Sequence, residues 1–381
     1  MTILRLLTLL TPATSLPPPA LTLPPPIVAV GTDYVPAVAS FEAGEARCNR
    51  GAEAFVRSEP PLPQVTTVAS ATTGPDPVTL RFRIDSGGRP LSIVEESRSH
   101  SSGSPYVGSR DLAAALAASR FRPGPERSGC TIDYEVTVKP VAEAELGTVY
   151  RVMALQPAPA LGARRALFDR TVPPGSNCFT DPRLNVRLRA YPAFEEIPQA
   201  PGTLSFSFVG FDLDSTGQPR NVRLLASGGN AELDRQSLDA VRRSRYSPRA
   251  KTGCTYSYWR RQTDPLRPPP SPDPDSYRPA GASCPAEGLP WASMPALTFP
   301  PEFERRGIEG WALVRFDVAP WGGVGNVAVL AAEPAAAFGL QAARIVGGAR
   351  KPPSARGYTG CVARVQFRLP SAGAIPAVSD P

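Results

Sequence analysis

Six cysteines have the clearest chemical potential in this chain of 381 residues. They form three pairs whose members lie 82, 76 and 77 residues apart: Cys48 and Cys130, Cys178 and Cys254, Cys284 and Cys361. In every pair a glycine directly precedes the second cysteine. Thiols spaced in this way could form disulfides, bind a metal or act as nucleophiles.

The spacing favours disulfides. Six cysteines allow fifteen pairings when only a sequence is known, but the repeated pattern favours one bridge per repeat, 48–130, 178–254 and 284–361. Zinc, the competing interpretation, needs close pairs such as Cys-x-x-Cys together with histidines, and the chain has no such pair and one histidine. Paired cysteines predict an oxidising compartment and leave no thiol as a nucleophile.

Other residues with catalytic potential have simpler explanations. His100 lies in a Ser- and Gly-rich loop found in one repeat, which is typical of a solvated loop residue. Asp85 and Asp214 occupy equivalent turn positions; they could act as acid and base, but turn capping explains both. No Gly-rich phosphate-binding motif follows a strand. We therefore predict no catalytic residue, metal site, cofactor or small-molecule substrate, and that the protein is not an enzyme.

The elements that position the cysteines occur three times, in the order strand, turn, strand, helix, strand. The repeats cover residues 79–138, 203–261 and 307–369, and a repeat of this kind determines the architecture. In the first repeat, Leu80, Phe82 and Ile84 alternate with polar residues, a period of two that predicts a half-buried strand. Asp111 is expected to cap the helix that follows. The prediction is an α+β fold of three tandem β-β-α-β units, each with one disulfide.

Proline-rich segments separate these units. Pro accounts for 47 of the residues, more than twice the usual share of about 5%, and such segments predict extended linkers. A strand is also expected at Val149–Leu155. The predicted divisions are a signal peptide (1–15), a Pro-rich segment (16–45), unit 1 (46–140), a linker (141–177), unit 2 (178–262), a Pro-rich linker (263–283), unit 3 (284–370) and a tail (371–381).

Charge and hydropathy limit the partners. The net charge is +7, but the chain has three lysines and an arginine-rich background without a basic cluster interleaved with aromatic residues, so no nucleic-acid binding is predicted. Residues 1–15 indicate export. Pro12 and the prolines at 17–19 interrupt the apolar run of about 20 residues that a membrane anchor needs, so the exported protein is expected to be soluble or loosely associated with the envelope.

The last strand of unit 3 is the predicted binding element. An open sheet edge can accept an extended peptide through main-chain hydrogen bonds. The residues predicted to form such an edge are Val362, Ala363, Arg364, Val365, Gln366 and Phe367. The alternative is that their charged side chains protect the edge from aggregation.

The three units carry short motifs that together form one recognisable pattern. The third unit carries Phe299-Pro300 and Arg306-Gly307-Ile308-Glu309-Gly310. The second carries Tyr191-Pro192, Asp214 to Gly217, Leu233-Asp234, Leu238 to Arg242 and Tyr246-x-Pro248. The first retains Asp85 to Gly88 and Phe121-x-Pro123. On these residues the third unit resembles the C-terminal domain of the TonB family of periplasmic energy transducers, with parts of the family pattern split between the units. The resemblance extends over about two thirds of the chain and suggests three divergent copies.

The resemblance implies a periplasmic β-β-α-β domain whose last strand captures an extended segment of an outer-membrane receptor and passes on work from the inner-membrane proton gradient. The chain departs from the family by its signal-like start in place of an anchor and by its three units. Two hypotheses follow. One is a TonB-like protein that binds outer-membrane transport receptors by strand addition; the other is an envelope-associated structural repeat protein without an energy-transducing role.

Overall fold

The computed structural model describes residues 34–69, 76–96, 107–156, 161–180, 182, 184–260, 264–285 and 289–369. The predicted signal peptide (1–15), His100 and the predicted tail (371–381) lie outside these residues, as does most of the Pro-rich segment 16–45.

The first part of the described chain forms strands around a long central strand, β9. Its elements are β1 (Tyr34–Ala43), β2 (Ala46–Cys48), β3 (Gly51–Glu53), β4 (Phe55–Arg57), β5 (Gln64–Ala69), β6 (Val78–Ile84), β7 (Pro90–Glu95), α1 (Arg110–Ala118), β8 (Arg120–Phe121) and β9 (Arg127–Pro140). β9 pairs with β6 on one side and with β1 and β2 on the other. The buried positions of β6 alternate as the sequence predicts.

The second and third parts each form a three-stranded antiparallel sheet with one longer helix. The second contains α2 (Leu146–Leu155), α3 (Leu161–Thr171), β10 (Val186–Leu188), β11 (Ser205–Leu213), β12 (Pro219–Ser227), α4 (Ala231–Arg243), β13 (Arg245–Tyr246) and β14 (Lys251–Arg260). The third contains α5 (Pro301–Arg305), β15 (Gly310–Val318), β16 (Val324–Glu333), α6 (Ala336–Gly347) and β17 (Tyr358–Phe367). The strand orders are β12-β11-β14 and β16-β15-β17, so the first strand of each unit is central.

The strand predicted at Val149–Leu155 is wrong, because these residues belong to helix α2. The segment predicted as a linker, 141–177, contains both α2 and α3. One face of α2 contributes Tyr150 and Ala154 to a cluster with Phe206 and Phe208 of β11. Its other face packs near β1. A helix that is apolar on both faces shows little amphipathic periodicity, and a short apolar run is then easily mistaken for a strand.

The first and third parts share one hydrophobic core. Leu80 and Phe82 of β6 belong to the same cluster of buried side chains as Val314 of β15 and Phe338 of α6. β7 also contacts the end of β16, where Ile93 N donates to the carbonyl oxygen of Pro334 at 3.0 Å. The α+β class is confirmed, whereas a tandem arrangement of units joined by Pro-rich linkers is not confirmed.

Among the described residues, none of the helices has both the length and the apolar character that crossing a bilayer requires.

Candidate functional site

The predicted binding strand lies at the edge of the third sheet. β17, which contains Val362–Phe367, pairs antiparallel with β15 and is the last strand in its sheet among the described residues. The structure records no backbone hydrogen bond from Val362–Phe367 to any described residue outside β15. This stretch therefore offers unpaired main-chain groups to a further strand.

Comparison with the equivalent strand β9 shows which main-chain groups of β17 point away from β15. On β9, the carbonyl oxygen of Asp133 accepts a hydrogen bond from Gly44 N at 2.8 Å, on the side away from β6. Arg364 has the same register position on β17, three residues beyond the second cysteine of its bridge. Because main-chain groups alternate in direction along an antiparallel strand, the N–H and C=O groups of Val362, Arg364 and Gln366 point away from β15.

The side chains of β17 divide between two faces. Ala363 and Val365 pack against the core that α6 covers, and Phe367 is fully buried there, edge-on to Phe338 at 5.2 Å between ring centroids. Val362, Arg364 and Gln366 alternate with them and lie on the opposite face. An added strand would therefore meet an apolar face on one side and a polar, cationic face on the other.

The three predicted disulfides are formed, 48–130, 178–254 and 284–361. Each one fastens an upstream segment to the start of a last strand. In the third part, Ser283 N donates to the carbonyl oxygen of Thr359 at 3.1 Å, and Asn177 N makes the equivalent bond in the second part. In the first part the donor is Asn49 N, which follows its cysteine. Gly360 adopts φ 68°, and a Cβ atom at this position would lie 2.8 Å from Pro279 Cγ. The glycine before the cysteine is thus required by its backbone conformation and by the close approach of the neighbouring segment.

Asp317 connects the hairpin of the third sheet to the start of β17. Its two carboxylate oxygens accept hydrogen bonds from Asn326 Nδ2 and Gly360 N, each at 2.8 Å. These bonds, the one from Asn326 first, lower the pKa of Asp317 below its ordinary value. Asp212 has the same two kinds of partner in the second part, Asn221 Nδ2 and a glycine N–H. The sequence analysis missed both aspartates. Each lies two residues before the turn that joins the first two strands of its sheet, and this repetition was a visible signal.

Glu309 fixes the other end of β17. Its side chain is buried, and it accepts hydrogen bonds from Arg368 Nη1 at 2.7 Å and from Leu369 N at 3.1 Å. A carboxylate between apolar residues in the 307–310 motif was the only sequence signal for this role. Glu309 and Asp317 thus hold the two ends of β17. The main-chain groups on the outer side of its middle residues stay unpaired among the described residues.

Arg306 and Asp111 form a buried ion pair between the first and third parts. Their side chains are 0% and 1% exposed, and Arg306 donates from Nη2 and Nε to the two carboxylate oxygens at 2.6 and 3.0 Å. Burial opposes the charge, but Asp111 raises the pKa of Arg306 above its ordinary value. The predicted capping role of Asp111 is wrong, because the structure gives α1 no side-chain cap. Asp111 instead accepts from Arg306 and from Leu62 N.

The corresponding edge in the first part is already occupied. β1 pairs with residues 134–140 of β9, and β2 pairs with Thr131. The chain's own strands therefore fill the place on β9 that is unfilled along Val362–Phe367.

The Pro-rich segment 264–285, which we call the strap, passes beside β17. Near its start, the main chain of Leu266 bonds to Gly307 and Glu309. The carbonyl oxygen of Pro269 accepts from Trp311 Nε1 at 2.8 Å. Ser271 Oγ accepts from Arg364 Nη1 at 2.9 Å. A short 3-10 turn, Pro274–Tyr277, then lies near β17. Because proline has no N–H, much of the strap cannot donate to the open strand.

The turn aspartates have the predicted capping geometry. Asp85 Oδ1 accepts from Arg89 N at 2.8 Å, and Asp214 Oδ1 accepts from the main chain of Thr216 and Gln218. Hydrogen bonds from the Thr216 hydroxyl and from Gln218 N lower the pKa of Asp214 to about 2. Among the described residues, the side-chain partners of the two aspartates are arginines and the hydroxyl of the turn residue Thr216, and neither aspartate is bonded to a second carboxylate.

Because the folded-state pKa of Asp214 lies below its ordinary value of 3.8, its ionised form stabilises the fold. That contribution is complete above about pH 4 and is lost as the pH falls through 3.8 toward 2. We expect an NMR titration to place the Asp214 carboxyl near 2, and Thr216→Val to raise that value by removing the hydroxyl donor. A carboxyl that titrates at its ordinary pH in both proteins would contradict the capping geometry.

The described part of the chain contains no group of three or more His, Cys, Asp or Glu residues placed to hold a metal ion. His100 lies outside it.

Two segments of the chain match a known family. Residues 202–263 and 295–369 match the sequence model of the family described as Gram-negative bacterial TonB protein C-terminal. The matched segments contain the second and third sheets, including β14 and β17. The match does not extend to the first part, so a third copy stays a prediction. A search of curated proteins found none similar to this chain.

Proposed function

We propose that the protein is a periplasmic, TonB-like binding protein of the envelope, because two segments of the chain match the model of the TonB C-terminal family. Its β17 edge takes up an extended segment of an outer-membrane transport receptor by strand addition, in connection with transport across that membrane. The role is one of binding, without a catalytic step or a cofactor.

One observation carries this proposal. β17 ends its sheet with the main-chain groups of Val362, Arg364 and Gln366 pointing away from β15, and no described residue outside β15 pairs with that stretch. An added strand would gain main-chain hydrogen bonds there without rearrangement of the sheet. Glu309 and Asp317 hold the strand's ends and so keep the edge in a fixed geometry.

Two observations favour the second hypothesis, a structural or interaction protein of the envelope without energy transduction. The edge of β9 is filled by the chain's own β1 and β2, and the first and third parts share a core. On this hypothesis the strap protects β17 in the same way, and the chain binds no receptor segment.

The test uses the full chain, because the shared core makes an isolated third part unsuitable. A photo-crosslinking amino acid at Gln366 should capture a receptor from an outer-membrane extract, and the crosslinked receptor peptide should be extended and near a chain terminus. The same amino acid at Leu340, an exposed position on α6, is the control for non-specific capture. Equal capture at both positions, or none at Gln366, would favour the structural hypothesis.

Proline substitution provides a matched pair of variants. Gln366→Pro removes a main-chain donor on the outer side of β17, which an edge strand tolerates, and should abolish capture while the protein remains folded. A variant that is folded by circular dichroism and still captures the receptor would contradict strand addition.

A further inference from the structure

The cationic face of the β17 edge makes no ion pair with the described residues. Arg315 and Arg364 are exposed, and they lie on the sheet face opposite α6. Among the described residues, neither makes an ion pair; Arg364 donates to a neutral hydroxyl, that of Ser271. An exposed guanidinium that has only a hydroxyl as its protein partner can exchange it for a carboxylate at little cost.

The acidic groups nearest to this face are engaged elsewhere. Glu309 binds Arg368, and Asp317 accepts from Asn326 and Gly360. On the strap, Asp275 pairs with Arg278. Asp317 nevertheless attracts Arg315 electrostatically. Arg364, whose one side-chain partner is the Ser271 hydroxyl, therefore provides the positive charge on this side of the edge that no described carboxylate balances.

Position on the strand makes that charge relevant to a binding partner. The main-chain groups of Arg364 point outward, so a strand added to β17 would place one residue directly across from Arg364. Side chains of directly opposed residues on one face have Cβ atoms about 4.5–5.5 Å apart, and opposite charges at such positions attract. The apolar residues Val365 and Phe367 would meet the alternate residues of the added strand on the other face.

Resting on the proposed function, we infer that the β17 edge selects an acidic strand: an extended segment with apolar residues at alternate positions and a carboxylate opposite Arg364. That carboxylate replaces the hydroxyl of Ser271 as the partner of Arg364. The strap thereby loses one of its side-chain contacts with β17 when the strand binds.

Three fluorescein-labelled peptides of sequence Val-Thr-Val-X-Val-Thr-Val test the inference, with Glu, Gln or Lys as X. The alternation places X on the same face as Arg364 in either strand direction. Full-length protein should bind the Glu peptide most tightly and the Lys peptide least, with a ratio of roughly fivefold between them at low salt, as expected for one exposed ion pair and one like-charge contact. The ratio should shrink as ionic strength rises.

Charge reversal at one position gives the decisive comparison. Arg364→Glu should invert the order so that the Lys peptide binds best. Arg164→Glu changes the net charge equally at an exposed position on α3 and should leave the order unchanged. Inversion in both variants, or in neither, would overturn the inference.

The outcomes also separate this inference from the proposed function. If all three peptides bind equally and Gln366→Pro abolishes their binding, strand addition holds and the acidic preference is wrong. If none of the peptides binds, or if Gln366→Pro does not weaken them, strand addition at β17 fails and the preference fails with it.

Discussion

Replacing Asp111 with Ala is expected to lower the free energy of unfolding by roughly 3–5 kcal/mol, the usual effect of leaving one buried charge without its partner. Arg306 is fully buried, and among the described residues its ion pair is with Asp111. Glu59 attracts Arg306 electrostatically but makes no ion pair with it that could replace Asp111. The substitution also leaves Leu62 N without its acceptor, which adds to the loss. Denaturation of the full chain by urea, followed by circular dichroism, measures the change.

A double substitution separates the charge from the packing. Asp111→Leu with Arg306→Met replaces the ion pair by apolar side chains, and such replacements are often close to neutral. It should therefore recover most of the stability that either single substitution removes. As a surface control, Asp239→Ala breaks exposed ion pairs with Arg242 and Arg235, in which each side chain is at least 46% exposed. It should change stability by at most about 1 kcal/mol. A small effect of Asp111→Ala would mean that the first and third parts are not held by this pair.

Removing the third disulfide by Cys284→Ala with Cys361→Ala should cost roughly 2–5 kcal/mol, because the bridge restricts an unfolded loop of 77 residues. The bridge also holds Ser283 against Thr359 at the start of β17. We therefore expect this variant to lose both stability and affinity for the Glu peptide.

The second disulfide is a matched control, since Cys178 and Cys254 are 76 residues apart. Its removal should cost a similar amount of stability without changing peptide affinity, because it lies at β14 rather than β17. Equal losses of affinity in the two variants would place the peptide site elsewhere or show that stability alone limits binding.

Local sequence patterns predicted much of the fold. The period of two in β6 predicted its buried face, and the aspartates in the turns predicted their capping role. The repeated glycine before each second cysteine predicted the bridges. These predictions succeeded because the cause of each feature lies within a few residues or recurs at a fixed spacing. The glycine at 360 shows the physical reason, since its φ of 68° is one that other residues avoid.

Long-range partners could not be predicted in this way. Asp111 and Arg306 lie 195 residues apart, and no periodicity connects a helix of the first repeat with the 306–310 motif of the third. The composition of the strap predicted an extended segment, but it did not indicate that Ser271 would contact Arg364. The candidate edge itself was predictable, because strand order follows from the repeat; the strands that fill the corresponding edge of β9 were not, because β1 and β2 precede the repeated pattern.

Amide hydrogen exchange along β17 tests the central claim most directly. In the free protein, the amides of Val362, Arg364 and Gln366 should exchange rapidly, whereas those of Ala363 and Val365 should be protected by their bonds to β15. Saturating Glu peptide should protect the first three and leave the others unchanged. Protection of all five amides before the peptide is added, or continued rapid exchange of the first three in the complex, would contradict strand addition at β17.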